Sequence, residues 1–421
     1  AENITITGST VTATGGGSVL GFGGAGIGGG GDGRNSDSNG KNITITGSTV
    51  TAKGGNGSAG IGGGVAGIGE AITITGSTVT ATGGIGAAGI GGGIGGSGKA
   101  ITITGGRVTA TGNSGGAGIG GGERCDGENI TITGSTVTAT GDRGGAGIGG
   151  GAGESNRGNG NNITITGSTV TAISNGCGQR GNGGGAGIGG GCNRNGSHIT
   201  INGGTVTAEG GDHGAGIGGG AKGSGSNVTV SGAAQVTAVA GKSKTNHYYP
   251  YNKIDSGATI GNGSRVTSDA LVNGEEIQAD ISGLMTTGYI HHIIYNLDDS
   301  LKREWWEFAL PKPIPDGESL DLHVETLKGA PLLFNTRQQG STLRVTSNTL
   351  AARLHGTRQA LETLQEQGVE QIQFVTTLKT TTLSVEDLLA EGGSWFALEH
   401  DGLASRQLSA AQAESLKCQM R

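Results

Sequence analysis

Strict alternation of apolar and polar residues marks short stretches of the chain from its beginning. In NITIT, Ile4 and Ile6 alternate with threonines, and in TVTAT, Val11 and Ala13 do the same. A third stretch, AGIGGG, places Ile27 between glycines. A period of two residues is typical of a β-strand with one buried face. Each copy of this unit therefore predicts three short strands separated by glycine-rich corners.

The three-strand unit recurs through the first part of the chain. Its opening Ile or Val falls at Ile4, Ile43, Ile72, Ile101, Ile130, Ile163, Ile199 and Val228. One unit cannot bury its own apolar side chains, but stacked units bury Ile on Ile and Val on Val. We predict an all-β, three-faced parallel β-solenoid of about eight coils, roughly 38 Å long at ~4.8 Å per coil. The chirality of parallel crossovers predicts a right-handed path.

The composition changes where the repeats end. Most of the 95 glycines precede this point, whereas Trp305, Trp306 and Trp395 all follow it. We predict a solenoid domain over 1–262 and a smaller α+β domain over 263–421 that caps the solenoid or serves assembly.

Elements of the second domain follow from its own periodicity. Residues 289–346 alternate like strands, and the leucines of TLAARLHGTRQALETLQEQG recur at helical spacing, with Gly368 as the C-cap. We expect core and edge packing, not a site, for the aromatic and histidine residues His291, His292, Tyr295, Trp305 and Trp306.

Outward threonines form the most regular candidate surface. On the first strand they fall at Thr5, Thr44, Thr73, Thr102, Thr131, Thr164 and Thr200. This Thr-x-Thr grid resembles the ice-binding face of insect β-helical antifreeze proteins, although the inward cysteines of those proteins are missing. Threonine is also an ordinary strand residue, so a solvated or contact face explains the grid as well.

Two further candidate surfaces lie at the corners. If Gly26, Gly28 and Gly30 point outward, AGIGGG forms a face without side chains; alternatively, these glycines only permit a positive φ. The loop NHYYPYNK concentrates three aromatic rings that either stack on sugars or dock the end of the solenoid onto the next domain: Tyr248, Tyr249 and Tyr251.

Asparagines and cysteines occupy other corner positions. Asn precedes the first Ile in five copies, where stacked side chains would hydrogen-bond along the solenoid. Cys177 and Cys192 flank one GNGGGAGIGGG segment, so a local disulfide or two free thiols are both consistent with the sequence.

The remaining chemistry is sparse. Acidic residues do not recur on one face at a spacing that would hold a proton relay, so we expect no enzyme activity, no cofactor and no metal. A net charge of −6 without a basic cluster argues against nucleic acid. No apolar run is long enough to span a membrane.

The repeats ITITGSTVTATGG and GAGIGGG, together with IQFVTT and TTLSVEDLLAEG, resemble those of large secreted proteins of Gram-positive gut bacteria. Such proteins are often labelled adhesive or carbohydrate-binding. The resemblance implies a secreted or cell-surface setting and no established catalytic residues. It is fairly specific over the repeats and looser over the C-terminal part.

These observations favour an extracellular structural or adhesive protein. AENITIT begins directly with a complete copy of the repeat, and an open solenoid end exposes unpaired backbone groups. We therefore expect another copy of the chain as partner, in a head-to-tail filament, unless the sequence was cut from a longer chain. The alternatives are a carbohydrate-binding module for a glycan or cell-wall polysaccharide and, less favoured, an ice-binding protein.

Overall fold

The computed structural model divides into two compact units, Ala1–Ala309 and Leu310–Arg421. It describes residues 1–17, 22–31, 38–153, 158–176, 183–242, 256–266, 271–272, 274–285, 287–296, 298–308, 321–339 and 341–417. No helix in these ranges is long and apolar enough to cross a membrane.

The first unit is a parallel solenoid with three faces. Strands of the first face are Glu2–Thr7, Gly40–Thr46, Gly69–Thr75, Gly98–Thr104, Gly127–Thr133 and Gly225–Ser231. Strands of the second face are Thr10–Thr14, Thr49–Lys53, Thr78–Thr82, Arg107–Thr111, Thr136–Asp142 and Gln235–Val239. Two longer strands, Gly160–Asn175 and Gly196–Glu209, run through the corner and supply both faces. The corner is therefore tight enough for two faces to form one hydrogen-bonded sheet.

The third face is an eight-stranded sheet of two-residue strands. These are Ile27–Gly28, Ile61–Gly62, Ile90–Gly91, Ile119–Gly120, Ile148–Gly149, Ile188–Gly189, Ile217–Gly218 and Ile260–Gly261. The predicted three-faced parallel solenoid of eight coils is thus confirmed.

Identical residues stack in the solenoid core. Ile43 pairs with Ile72 on the first face, Val50 with Val79 on the second and Ile61 with Ile90 on the third. These side chains are 0–1 % exposed. Fully burying one such side chain contributes roughly 1.5–3 kcal/mol, so repetition of Ile and Val is the main stabilising feature.

The residue before the first buried Ile turns the chain through the left-handed region. All eight positions have φ between 52° and 60°: Asn3, Asn42, Ala71, Ala100, Asn129, Asn162, His198 and Asn227. Asparagine tolerates this region better than most residues, which explains its preference here. Asn42 Nδ2 donates to Asn3 Oδ1 at 3.0 Å, and Asn162 Nδ2 donates to Asn129 Oδ1 at 3.1 Å. The predicted asparagine stacking is confirmed.

The glycines of the third face are buried against backbone. In the second coil the whole stretch 57–65 is buried. A Cβ on Gly62 would lie 2.0 Å from the carbonyl oxygen of Gly91, and one on Gly64 would lie 1.9 Å from that of Gly30. Gly62 also has a φ of 131°. Backbone of the same chain likewise fills the space beside Gly26 and Gly28, so the alternative of a bare outward glycine surface is wrong there; Gly30, in the first coil, is exposed, and a Cβ on it would meet no atom of the described residues within 4 Å.

The last coil is closed by residues 274–308. Tyr289–Tyr295 adds a parallel strand to the second face beside Gln235–Val239, and Leu301–Phe308 pairs with it antiparallel. Ala279, Ile281, Leu284 and Ile290 complete the core beneath the eighth coil. The division therefore falls after Ala309 and not at residue 262, because the strand-like stretch from 289 continues the solenoid sheet.

Over its described residues, 321–339 and 341–417, the second unit contains two four-stranded sheets and three helices. One sheet is antiparallel, in the order Leu322–Glu325, Ala351–Thr357, Trp395–Asp401 and Ala404–Leu408. The other has the order Asn335–Gln339, Thr342–Thr346, Gln371–Val375 and Thr380–Ser384, with a parallel central pair. The helices are Arg358–Glu366, Val385–Ala390 and Ala410–Lys417. The predicted α+β class of this unit is confirmed.

The first helix begins later than predicted. Ala351–Thr357 is a strand, hydrogen-bonded on both sides, and the helix starts at Arg358. The Oγ1 of Thr357 accepts from the backbone N of Ala360 at 3.2 Å and caps the helix. Hydrogen bonds to strands on both sides favour a strand at 351–357, although the helical spacing of leucines extends into this stretch through Leu354. Gly368, with φ 77°, follows the helix end as expected.

The glycine packing gives a test of the fold. We expect Gly91→Ala, whose Cβ would lie 2.0 Å from the Gly120 carbonyl oxygen at a φ of 133°, to destabilise the solenoid by about 3 kcal/mol or more. Gly134→Ala is the control, because its φ of 56° is strained but no atom lies within 4 Å. It should cost about 1 kcal/mol. Urea unfolding followed by circular dichroism measures both, and equal losses would contradict the close packing.

Candidate binding surfaces

The outer side of the first face carries an unbroken threonine column. Each member pairs in register with the next, from Thr5 with Thr44 to Thr200 with Thr229. The column includes all seven threonines predicted as a contact surface: Thr5, Thr44, Thr73, Thr102, Thr131, Thr164 and Thr200. These side chains are half-buried or exposed. The grid geometry expected from the sequence is present, and its ligand stays a prediction.

The second face carries another column of eight threonines that the sequence reasoning did not single out. Its members are Thr12, Thr51, Thr80, Thr109, Thr138, Thr171, Thr207 and Thr237. The column then continues through His291 and Trp306, because Thr237 pairs with His291 and His291 with Trp306. The threonine surface therefore ends in an aromatic patch.

Threonine hydroxyls alone provide no acid or base for catalysis near neutral pH. Departures from threonine on the second face are scattered, as with Lys53, Arg107 and Glu209. Within the described ranges, no group of three or more His, Cys, Asp or Glu side chains is placed to hold a metal ion. The two faces can act as contact surfaces.

Several predicted site residues lie outside the described residues. Tyr248, Tyr249 and Tyr251 belong to this group, and so does Cys177. Cys192 is 2 % exposed and packs with Ala152 and Ala221 in a small apolar cluster of the loops beside the third face. The disulfide of Cys177 with Cys192 stays a prediction.

The closing hairpin places two histidines opposite two tryptophans. His291 pairs with Trp306 and His292 with Trp305, one pair on each side of the sheet. The His291 and Trp306 rings stack at 3.8 Å and 5°, and the His292 and Trp305 rings at 4.4 Å and 6°. Arg303 lies over the other face of Trp305, 4.2 Å from its centroid. The sequence stretches YIHHIIY and EWWEF thus become two aromatic stacks.

The outer side of this hairpin is open to solvent. Trp306 is 45 % exposed and Phe308 is 41 % exposed. Tyr289 meets Trp306 edge-on, with centroids 5.0 Å apart. Trp306 packs on His291 and Tyr289 at the edge of the sheet, as the expectation of core and edge packing has it, and it also keeps a large exposed surface because alternate side chains of the edge strand Leu301–Phe308 face outward.

The inner side of the hairpin closes a buried polar network. His292, 3 % exposed, lies with Nδ1 at 2.6 Å from Thr259 Oγ1. Thr259 Oγ1 donates to Glu276 Oε2 at 2.8 Å. Backbone N–H groups of Thr259 and Ile260 also donate to Glu276. Among the described residues, the Nε2 of His292 has no hydrogen-bond partner, and its distance to Glu307 Oε1 is 3.6 Å.

Burial sets the protonation states in this network. It lowers the pKa of His292 to about 4, with smaller contributions from His291 and Arg303. Burial also raises the pKa of the Glu276 and Glu307 carboxyl groups, and Glu276 adds to the effect at Glu307. His292 is therefore neutral in the folded protein near pH 7.

Thr259, His292 and Glu307 follow the order hydroxyl, imidazole, carboxylate that nucleophilic enzymes use. Here Thr259 is 0 % exposed, and its hydroxyl donates its hydrogen bond to Glu276. The 3.6 Å between His292 Nε2 and Glu307 Oε1 is too long for a hydrogen bond. A substrate cannot reach the hydroxyl in this arrangement. The network is a structural element of the closing coil.

A second charged cluster lies in the C-terminal unit. Arg353 donates from Nη1 to Glu325 Oε1 at 2.6 Å and from Nη2 to Glu399 Oε1 at 2.7 Å, and Arg406 donates to Glu399 Oε2 at 2.6 Å. Burial lowers the pKa of the neighbouring His355. Because the carboxylates already pair with both arginines, this cluster offers an anionic ligand little unneutralised charge.

Comparison with known families identifies β-helix repeats in the chain. A family model described as a β-helix repeat matches residues 4–31, 43–65, 72–98, 101–123, 130–152 and 199–221. These segments are six of the eight coils; the sixth coil, with its long insertion, and the degenerate eighth are outside the match. No curated protein and no solved structure matched the chain. The chain thus contains a β-helix repeat array, as its geometry shows.

The buried imidazole predicts acid sensitivity of the closing hairpin. Between the unfolded pKa of about 6.5 and the folded value of about 4, the unfolded state holds a proton that folded His292 lacks. The His292 contribution to stability is therefore present above pH 6.5 and lost toward pH 4, by roughly 3 kcal/mol at most. Glu276 and Glu307 contribute in the opposite direction because their folded pKa values are raised.

Comparing variants isolates the histidine. Hydrogen exchange of residues 289–295, corrected for intrinsic rates, should lose protection from pH 6.5 to 4.5 more steeply in the wild type than in His292→Gln. His198→Gln, at an exposed corner of the seventh coil, is the matched control. Parallel pH profiles for wild type and His292→Gln would contradict the assignment.

Proposed function

We propose that this chain is a non-catalytic structural or adhesive repeat protein of the cell exterior, in which the solenoid serves as a stiff scaffold. The observation that carries the proposal is the pair of unbroken, in-register threonine columns on two faces. A uniform surface of this kind suits repeated contacts along its length, whereas catalysis requires several different groups brought to one place.

The secreted or cell-surface setting rests on the resemblance of the repeats to those of secreted proteins of Gram-positive gut bacteria. The solenoid is consistent with that setting, because the stacking of its coils stabilises it along its whole length. An adhesive role would expose the two threonine faces to a partner or a polysaccharide.

Self-assembly into a head-to-tail filament is part of the proposal. In the first coil of this sequence, the core residues Ile4, Ile6, Val11 and Ala13 are only partly buried, whereas their counterparts in the second coil are 0–1 % exposed. A strand added at this edge would bury them, whether it came from another copy or from further coils of a longer chain. We propose another copy as the partner.

Electron microscopy and sedimentation over a concentration series test the assembly. Wild-type protein should form rods that lengthen with concentration, and Val11→Lys should prevent this by placing a charge at the contact. Thr12→Lys is the matched control, because the neighbouring side chain points to the outer surface of the same strand. Monomers at every concentration would overturn the filament and leave the non-catalytic scaffold standing.

A further inference from the structure

We propose that Trp306 and Phe308, at the outer edge of the closing hairpin, form a stacking surface for a neutral polysaccharide. The proposal deepens, and rests on, the adhesive role above by naming the residues and the ligand class. It names different residues from the predicted Tyr248, Tyr249 and Tyr251, which lie outside the described residues.

The two rings form one strip of nearly parallel aromatic planes. Their planes differ by 9° and their centroids are 6.3 Å apart. This separation is close to the ~6.7 Å between residues i and i+2 of a strand, so the rings stand side by side along the strand. His291 covers one face of Trp306 at 3.8 Å. The opposite face points away from the sheet, because among the described strands Leu301–Phe308 pairs only with Tyr289–Tyr295.

The size of the exposed strip fits a chain of small rings. Exposed fractions of 45 % and 41 % leave roughly 200 Å² of aromatic surface, taking about 150–250 Å² per side chain. A standard protein interface needs about 800 Å² per partner. A pyranose ring has an apolar C–H face of suitable size and a rim of hydroxyl groups.

Addition of a protein strand at this edge is disfavoured. The opposite side of the same strand carries Arg303 and Glu307, and charged residues on an edge strand oppose pairing with another chain. Pairing with an added strand would partly desolvate these charges, whereas a sugar bound to the outer rings would leave them solvated.

The surroundings of the rings match hydroxyl groups without a net charge. Glu304, two residues before Trp306 on the outer side, has its carboxylate at 2.6 Å from His291 Nε2 and remains 40 % exposed. Gln235 and Thr237 lie in register with Tyr289 and His291 on the adjacent strand. Acidic and basic residues are balanced along LKREWWEF, so a neutral glycan fits better than an acidic polymer or a nucleic acid.

Affinity electrophoresis of the full chain tests the site. Native gels would contain soluble β-glucan, xylan, galactomannan or α-glucan, with polygalacturonate as the acidic counterpart. At least one neutral polysaccharide should retard the wild type. Trp306→Ala and Phe308→Ala should each weaken binding roughly tenfold, which is about 1.4 kcal/mol.

Phe22→Ala is the matched control, because Phe22 is 47 % exposed on the first coil, away from the hairpin. Its binding should equal that of the wild type. Hydrogen exchange over residues 289–295 must be unchanged in the Trp306 and Phe308 variants, so that a loss of binding reports contact and not unfolding.

Four results would overturn the proposal. These are no retardation by any neutral polysaccharide, equal retardation by polygalacturonate, full binding by the Trp306→Ala, Phe308→Ala double variant, and a change of oligomeric state in that variant. Full binding by the double variant would leave the adhesive function intact and move it to another surface. The filament test at Val11 is independent of the first three results.

Discussion

The contact of backbone with backbone between consecutive coils is the constraint on which the structure depends. At the third face, Gly62 and Gly91 stand so close to the next coil that a Cβ would come within 2.0 Å of a carbonyl oxygen. Such an approach fixes the register of every coil, since a shift by one residue would place a side chain where only glycine fits. Once that register is fixed, Ile must lie on Ile and Thr on Thr along the whole array.

The same register explains the polar positions. A corner that turns through positive φ in every coil selects Asn, and the amide groups of Asn3 and Asn42 then lie within hydrogen-bond reach. Serines at the next corner are used similarly: Ser48 N donates to Ser77 Oγ at 3.1 Å. Polar groups that one isolated coil would leave unsatisfied are satisfied by the copy beside it. Repetition therefore supports both the apolar core and the corners.

Most of the solenoid could be predicted from sequence because its interactions are local and repeated. The alternation in NITIT and TVTAT determines which side chains are buried, and the spacing of Ile43, Ile72 and Ile101 determines the stacking. The end of the solenoid could not be predicted in this way. Residues 274–308 continue the sheet without repeating its sequence, and only the pairing of Gln235–Val239 with Tyr289–Tyr295 reveals this.

The candidate site was missed for a related reason. The pattern YIHHIIY alternates like a strand buried on one side, and EWWEF reads as a packing partner for it. The pattern does not show that Leu301–Phe308 is an edge strand. Because it is one, Trp306 keeps 45 % of its surface exposed, whereas Trp305 beside it is covered by His292 and Arg303. Exposure at an edge depends on the topology of the whole sheet, which a local pattern does not contain.

A strictly repeated face has a functional consequence of its own. A group that would be harmful in repetition, such as an outward tryptophan, is more easily accommodated where the repeat ends, as at Trp306. The stacked coils carry mostly threonine on their outer faces, whereas the closing hairpin brings different side chains together. On the second face, Thr237 is followed in register by His291 and then by Trp306. Under the proposed function, the uniform threonine faces would make repeated contacts along the solenoid, whereas recognition by several different groups brought together would lie at its irregular end.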